Sequence, residues 1–128
     1  MKTLGVVASR YASTRFPGKA LADIGGRPMV WWVYQQALKA KKLDAVVVAT
    51  DDERIEKECI KYGINVIMTS VDNKTTANRM YEVSRKPDYD KYDFYITING
   101  DEPIINPIAI DAAIPETCPT RIEYGTKQ

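Results

Sequence analysis

Apolar residues follow two alternating rhythms along this chain: short unbroken runs, and stretches where they return every third or fourth position. Leu4 to Ala8 is the first unbroken run and predicts a strand. Asp23 to Arg27, with Gly25 and Gly26, predicts a turn or short hairpin. Pro28 at a first helical position, followed by Val30, Val33, Tyr34, Ala37 and Leu38 at helical spacing, predicts a helix to about Lys41. Trp32 falls on the other face with Gln35, Gln36 and Lys39. Such a Trp is either covered by another surface or lies half-exposed over its own helix. Ala45 to Thr50 is β-branched and uninterrupted, as in a strand buried on both faces of a parallel sheet. Asp51 then predicts an N-cap, with Asp52 and Glu53 in a first turn that favours anions. That helix uses Ile55, Cys59 and Ile60 and stops at Gly63.

Further along, Asn65 to Met68 predicts a third strand and about Thr76 to Ser84 a helix, with a surface loop over Lys86 to Lys91. Phe94 to Asn99 predicts a fourth strand, and Asn106 and Pro107 the N-cap and N1 of a helix to about Ala113. The alternation predicts an α/β domain around a mainly parallel sheet. Pro115 to Gln128 shows no clear period, and the chain is expected to be truncated at its C-terminus.

Composition narrows the function. The 128 residues suit one compact domain with a real core. Eighteen Lys and Arg against seventeen Asp and Glu, without charged blocks, argue against a nucleic-acid or membrane partner. No apolar run approaches the roughly 18 residues that span a bilayer. Met1 to Leu4 leads into a strand without a leader-like region, so the expected compartment is the cytoplasm. Cys59 and Cys118 have no metal-binding spacing, and Cys59 lies on a helix stripe as a core thiol. Histidine is absent, which excludes His-based triads, His-ligated zinc and a His general base. Any metal is then a hard cation on oxygen, such as magnesium.

Two segments carry candidate chemistry. The loop after the first strand holds Arg10, Arg15 and Lys19 with no carboxylate, and adds Ser13, Thr14 and Gly18. Arginine grips phosphate oxygens with two donors, lysine adds a point charge, and loop N–H groups can form an anion-binding concavity. It is not a Walker A loop, since Ser13 stands at the first Gly position and Ala20 follows Lys19. Alone, such a loop is equally a solvated surface. Its place after strand one favours a ligand, because open α/β sheets bind at the carboxyl ends of their strands. The second segment, Asn99-Gly100-Asp101-Glu102-Pro103, closes the fourth strand. It is either a β-turn or a carboxylate site for magnesium. In a parallel sheet it falls on the same edge as the basic loop, the combination that chemistry on a nucleoside triphosphate requires.

The chain resembles the CMP-Kdo synthetases, the 3-deoxy-manno-octulosonate cytidylyltransferases, over nearly all of residues 4 to 114. The match rests on Arg10 to Lys19, Val48 to Ile55, Met68-Thr69-Ser70 and Gly100-Asp101-Glu102-Pro103, in the family's order. The resemblance implies a Rossmann-like nucleotidyltransferase fold, an α/β/α sandwich in which residues 1–128 form the nucleotide-binding part of one domain. It implies transfer of CMP from CTP to the anomeric hydroxyl of a sugar acid for lipopolysaccharide or capsule, with pyrophosphate released. Arg10, Ser13, Arg15, Lys19 and Thr75 then bind nucleotide, with Arg10, Lys19 and Asp101 catalytic. Asp101 holds magnesium, and Asn99 and Arg79 contact the sugar acid. A homodimer is implied for the full-length form.

Four departures qualify this resemblance. Ala8-Ser9-Arg10 stands where the family usually has Pro-Ala-Arg, and Asn99 where it usually has Gln. In the loop Asp72 to Arg79 only the first Asp and the last Arg of the family pattern survive. Family members are also roughly twice as long, in line with the usual size range of domains. The nucleotide role therefore carries over better than the sugar, which leaves open a sialic-acid-like acid, or a non-catalytic nucleotide-binding remnant.

Overall fold

The computed structural model describes residues 2–9, 18–70, 75–100, 105–114 and 123–127, the last group and Thr76 as backbone only. Five parallel strands form one sheet: β1 (Thr3–Ser9), β4 (Ala45–Thr50), β5 (Val66–Met68), β6 (Phe94–Asn99) and β7 (Glu123–Lys127). Their spatial order is β5-β4-β1-β6-β7. A two-stranded antiparallel hairpin, β2 (Asp23–Ile24) and β3 (Arg27–Pro28), stands apart from the sheet. The helices are α1 (Met29–Leu38), α2 (Glu53–Lys61), α3 (Thr76–Ser84) and α4 (Pro107–Ala112), with a 3-10 turn at Lys19–Leu21.

Side-chain alternation along the strands builds two cores, one on each face of the sheet. Val7, Val46, Val48, Ile96 and Ile98 face α1, α2 and α4 through Val33, Tyr34, Ile55, Cys59 and Ile110. Leu4, Val6, Val47, Ala49 and Tyr95 face α3 through Met80 and Val83. Each fully buried aliphatic side chain contributes roughly 1.5–3 kcal/mol relative to leaving it exposed. The strands are apolar on both faces because helices cover both, and the α/β/α sandwich follows.

Most expected elements appear, with local corrections. Gly25 and Gly26 take φ of 60° and 90°, which closes a two-residue hairpin of the mirror-image type that suits strand twist. Trp32 is half-buried and donates from Nε1 to the Ile24 carbonyl at 2.7 Å, so it covers this hairpin. Arg27 fastens the hairpin's other side, its guanidinium 5.4 Å from the ring centres of both Trp31 and Tyr62. Pro28 is the N-cap of α1 rather than its first turn, and α1 ends at Leu38, itself half exposed, rather than near Lys41. The cap of α2 is Asp52, not Asp51: its side chain accepts from Arg54 N at 2.8 Å. Ile60 is on the solvent side of that helix. β7 occupies a stretch for which the sequence pattern predicts no element.

Candidate functional site

The chain leaves β1, moves outward through β4 and β5, then returns by α3 to lay β6 against the free side of β1. The sheet order therefore reverses between β1 and β6. At such a switch point the loops from two adjacent strands turn away from each other and leave a crevice. The loop after β1 carries Arg10, Ser13 and Arg15, and the loop after β6 carries Asp101. All four residues lie outside the described ones, but the strand ends that launch them are fixed side by side, with Ala8 opposite Asn99.

Gly100 sets how closely these ends approach. Its N–H donates to the Ala8 carbonyl at 3.0 Å. A Cβ at Gly100 would collide with that same carbonyl oxygen and press on the Ser9 Cα at 3.3 Å. Only glycine lets β6 continue one residue further against β1. On the far side of the acidic loop, Gln36 of α1 donates from Nε2 to the Ile105 carbonyl at 2.9 Å, anchoring the returning chain.

A second arrangement lies at the carboxyl ends of β4 and β5. Arg79, in the first turn of α3, is 1% exposed. Its Nη2 lies 3.3 Å from Asp51 Oδ2, and Nη1 donates to Thr69 Oγ1 at 2.5 Å. Thr69 Oγ1 in turn donates to the Thr50 carbonyl at 3.2 Å, and Thr69 N–H donates to the same carbonyl at 2.8 Å. Arg79 thus ties α3 to the residues just beyond both strands. Sequence reasoning missed this partnership of Asp51 and Thr69 with Arg79. Its signal was available: the segments 48–55 and 68–70 each run off the end of an expected strand.

The other described candidates sit around this edge. Lys19 opens the 3-10 turn after Gly18, whose φ of 77° is left-handed, and it makes no ion pair among the described residues. Thr75 is exposed and caps α3, its Oγ1 accepting from Asn78 N at 3.1 Å. Asn99 is the last residue of β6. Thr75 and Arg79 are joined through α3, while Lys19 and Asn99 flank the β1–β6 crevice in sequence. Among the described residues no group of three or more His, Cys, Asp or Glu could hold a metal ion.

Among the described residues three titratable groups are shifted, one of them Tyr89, which burial pushes up with Asp88, Tyr92 and Tyr34 adding to it. The Arg54 side-chain hydrogen bonds hold the Asp52 carboxyl below the usual carboxylate range, against a smaller opposing effect of burial. Burial pushes the Cys59 thiol up to about 12, reinforced by Glu58 and Glu56, so it is neutral and unreactive. No helix among the described residues is long and apolar enough to cross a membrane.

Comparison with known proteins agrees with this architecture. A family model described as cytidylyltransferase matches residues 4–121. The 3-deoxy-manno-octulosonate cytidylyltransferase of Geobacter metallireducens is 45% identical over 127 residues, 98% of this chain and 49% of that protein. The protein of the same name from Trichlorobacter lovleyi is 44% identical over 114 residues, 89% of this chain and 44% of that one. A solved structure of CMP:2-keto-3-deoxy-manno-octonic acid synthetase complexed with CTP superposes with a TM-score of 0.82 at 40% identity. It covers 88% of this chain and 46% of that one. The chain spans about half the length of the curated relatives it matches.

Proposed function

The chain belongs to the cytidylyltransferase family, and from that premise we propose that residues 1–128 are the nucleotide-binding part of a single domain that couples CTP to a 3-deoxy-manno-octulosonate-like sugar acid. The observation that carries this reading is the pairing of β1 with β6 at the switch point. It launches the Arg10–Lys19 loop and the Asp101 loop from adjacent strand ends. The relatives' name and the CTP complex of the similar structure support the choice of substrates.

The reaction is an in-line displacement. The anomeric hydroxyl of the sugar acid attacks the α-phosphorus of CTP, the bond to the β-phosphate breaks, and pyrophosphate leaves. The protein's contribution is positioning and charge neutralisation. Arg10, Arg15 and Lys19 hold the departing phosphates, and Ser13 and Thr75 hold the nucleotide. Asn99 and Arg79 lie on the sugar-acid side. For Arg79 the Asp51 and Thr69 bonds favour an indirect part, since they occupy its guanidinium.

The donor chemistry fits magnesium: Asp101 and Glu102 offer hard carboxylate oxygens just past Gly100, and magnesium takes one or two carboxylates together with phosphates. When bound, the ion supplies charge neutralisation and Lewis acidity at the phosphates, and Asp101 is the residue that would hold it. In this reading the enzyme acts in the cytoplasm and its full-length form is a homodimer, which sedimentation of that form tests.

The half-length match favours a second reading, a chain that binds CTP without turning it over. Both readings meet one experiment. The chain is titrated with CTP, UTP, ATP and GTP, with and without magnesium, and pyrophosphate release is then followed with CTP and a panel of eight- and nine-carbon sugar acids. Magnesium-dependent binding selective for CTP with pyrophosphate release supports the enzyme. Binding without release supports the second reading. No nucleotide binding overturns both.

A further inference from the structure

We propose that the Ser9 hydroxyl is a binding group of the nucleotide site, donating a hydrogen bond to an oxygen of the bound nucleoside triphosphate; the proposal rests on the cytidylyltransferase reading above. Ser9 is the last residue of β1 and is 2% exposed. Its Oγ is buried and has no hydrogen-bond partner among the described residues. Burying a hydroxyl without a partner is a net cost to folding, which a ligand atom at that place would remove.

Two neighbouring acceptors among the described residues are already engaged. The Thr50 carbonyl, on the residue paired with Ser9, accepts from both Thr69 N–H and Thr69 Oγ1. The Ala8 carbonyl accepts from Gly100. The hydroxyl is thus left over at the strand end that borders the β1–β6 crevice, where an α/β sheet receives its ligand. The family pattern that this chain resembles usually has alanine at this position. The hydroxyl is therefore an addition of this chain to a loop that already carries the phosphate-binding cations.

The same strand supplies a control. Thr3 Oγ1 is also buried without a partner, at the opposite end of β1. Six residues of extended chain separate the two, roughly 20 Å. A hydroxyl at the amino end of the strand is out of reach of anything in the crevice.

The test compares the chain with its Ser9→Ala and Thr3→Val variants, reading the melting temperature without ligand and the Kd for CTP with magnesium by calorimetry. Ser9→Ala is expected to melt no lower than the parent and to bind CTP about three- to ten-fold more weakly, the effect of one lost neutral hydrogen bond. Thr3→Val is expected to melt no lower and to keep the parent Kd. Unchanged CTP affinity in Ser9→Ala overturns the proposal, as does equal weakening in both variants, which would mark a general effect on β1. If the parent chain binds no nucleotide, it is the cytidylyltransferase reading itself that fails, and the Ser9 role falls with it.

Discussion

Arg79 and Asp51 form an ion pair between the first turn of α3 and the residue just past β4, Nη2 to Oδ2 3.3 Å, on side chains 2% and 17% exposed. With Thr69 as the second partner, this guanidinium bonds α3 to the ends of two strands at once. Removing it leaves a shielded carboxylate and a threonine hydroxyl without their donor. Arg79→Met, which keeps much of the volume, is expected to lower stability by about 2 to 3 kcal/mol in urea unfolding. That is less than for a wholly buried pair, because Asp51 retains some water. A loss under about 0.5 kcal/mol, the scale of a bland surface change, would show that the pair is incidental.

Gly100 gives a sharper steric expectation. An added methyl meets a backbone carbonyl, which cannot rotate away as a side chain could. Gly100→Ala should therefore cost about 1 to 3 kcal/mol, the usual range for overpacking, and displace the start of the Asp101 loop from β1. Thermal unfolding checks the first part, and the magnesium dependence of CTP binding checks the second. A variant identical to the parent in both would mean β6 and β1 separate freely at this end.

What the sequence could and could not reveal follows from these contacts. β1, β4 and β6 were legible because strands covered on both faces are apolar without interruption, and α4 because Asn106 caps it locally. β7 was not, since Glu123, Gly125 and Lys127 break any apolar pattern and the strand exists through its pairing with distant β6. Of two successive aspartates, the one whose backbone turns out of the helix becomes the cap, and spacing does not distinguish them. Arg79 is assigned to the sugar acid by its place in the family's loop pattern, whereas its burial against Asp51 and Thr69 shows only in three dimensions. The switch point needed the strand order, which rests on the crossover through α3.

The Asp52 cap makes a pH-dependent contribution. A carboxyl held below its ordinary value stabilises the fold while ionised. The contribution is complete above the ordinary value near 3.8 and is lost as pH falls through the lower folded-state value. Asp52→Ala is expected to cost about 1 kcal/mol at pH 7. The gap from the parent should narrow in urea midpoints measured from pH 7 down to 3. A gap that stays constant over that range would remove the charge from the explanation.

Cys59 should be silent to thiol reagents. With its pKa at about 12, almost no thiolate forms at pH 8, and the side chain is fully buried. In a Cys118→Ser background, Ellman's reagent should react only as the chain unfolds, with the same urea midpoint as circular dichroism. Because the folded thiol keeps its proton above the ordinary value of 9.0, stability should also decline as pH rises from about 9 toward 12. Prompt labelling in native buffer would contradict both statements.

The central position of β1 has a consequence for how the chain comes to be folded. Its two neighbours are β4, beginning at Ala45, and β6, which ends at Asn99. Leu4 to Val7 therefore leave the ribosome long before either partner and stay at most half-paired until the third helical crossover, through α3, has been made. Contacts of such long sequence separation form slowly, and an apolar strand waiting for them is exposed to other chains in the meantime. The same placement of β1 that creates the crevice makes a strand synthesised before both its neighbours among the last to be completed, so the yield of folded protein should depend on dilution and holdase chaperones more than its final stability would suggest.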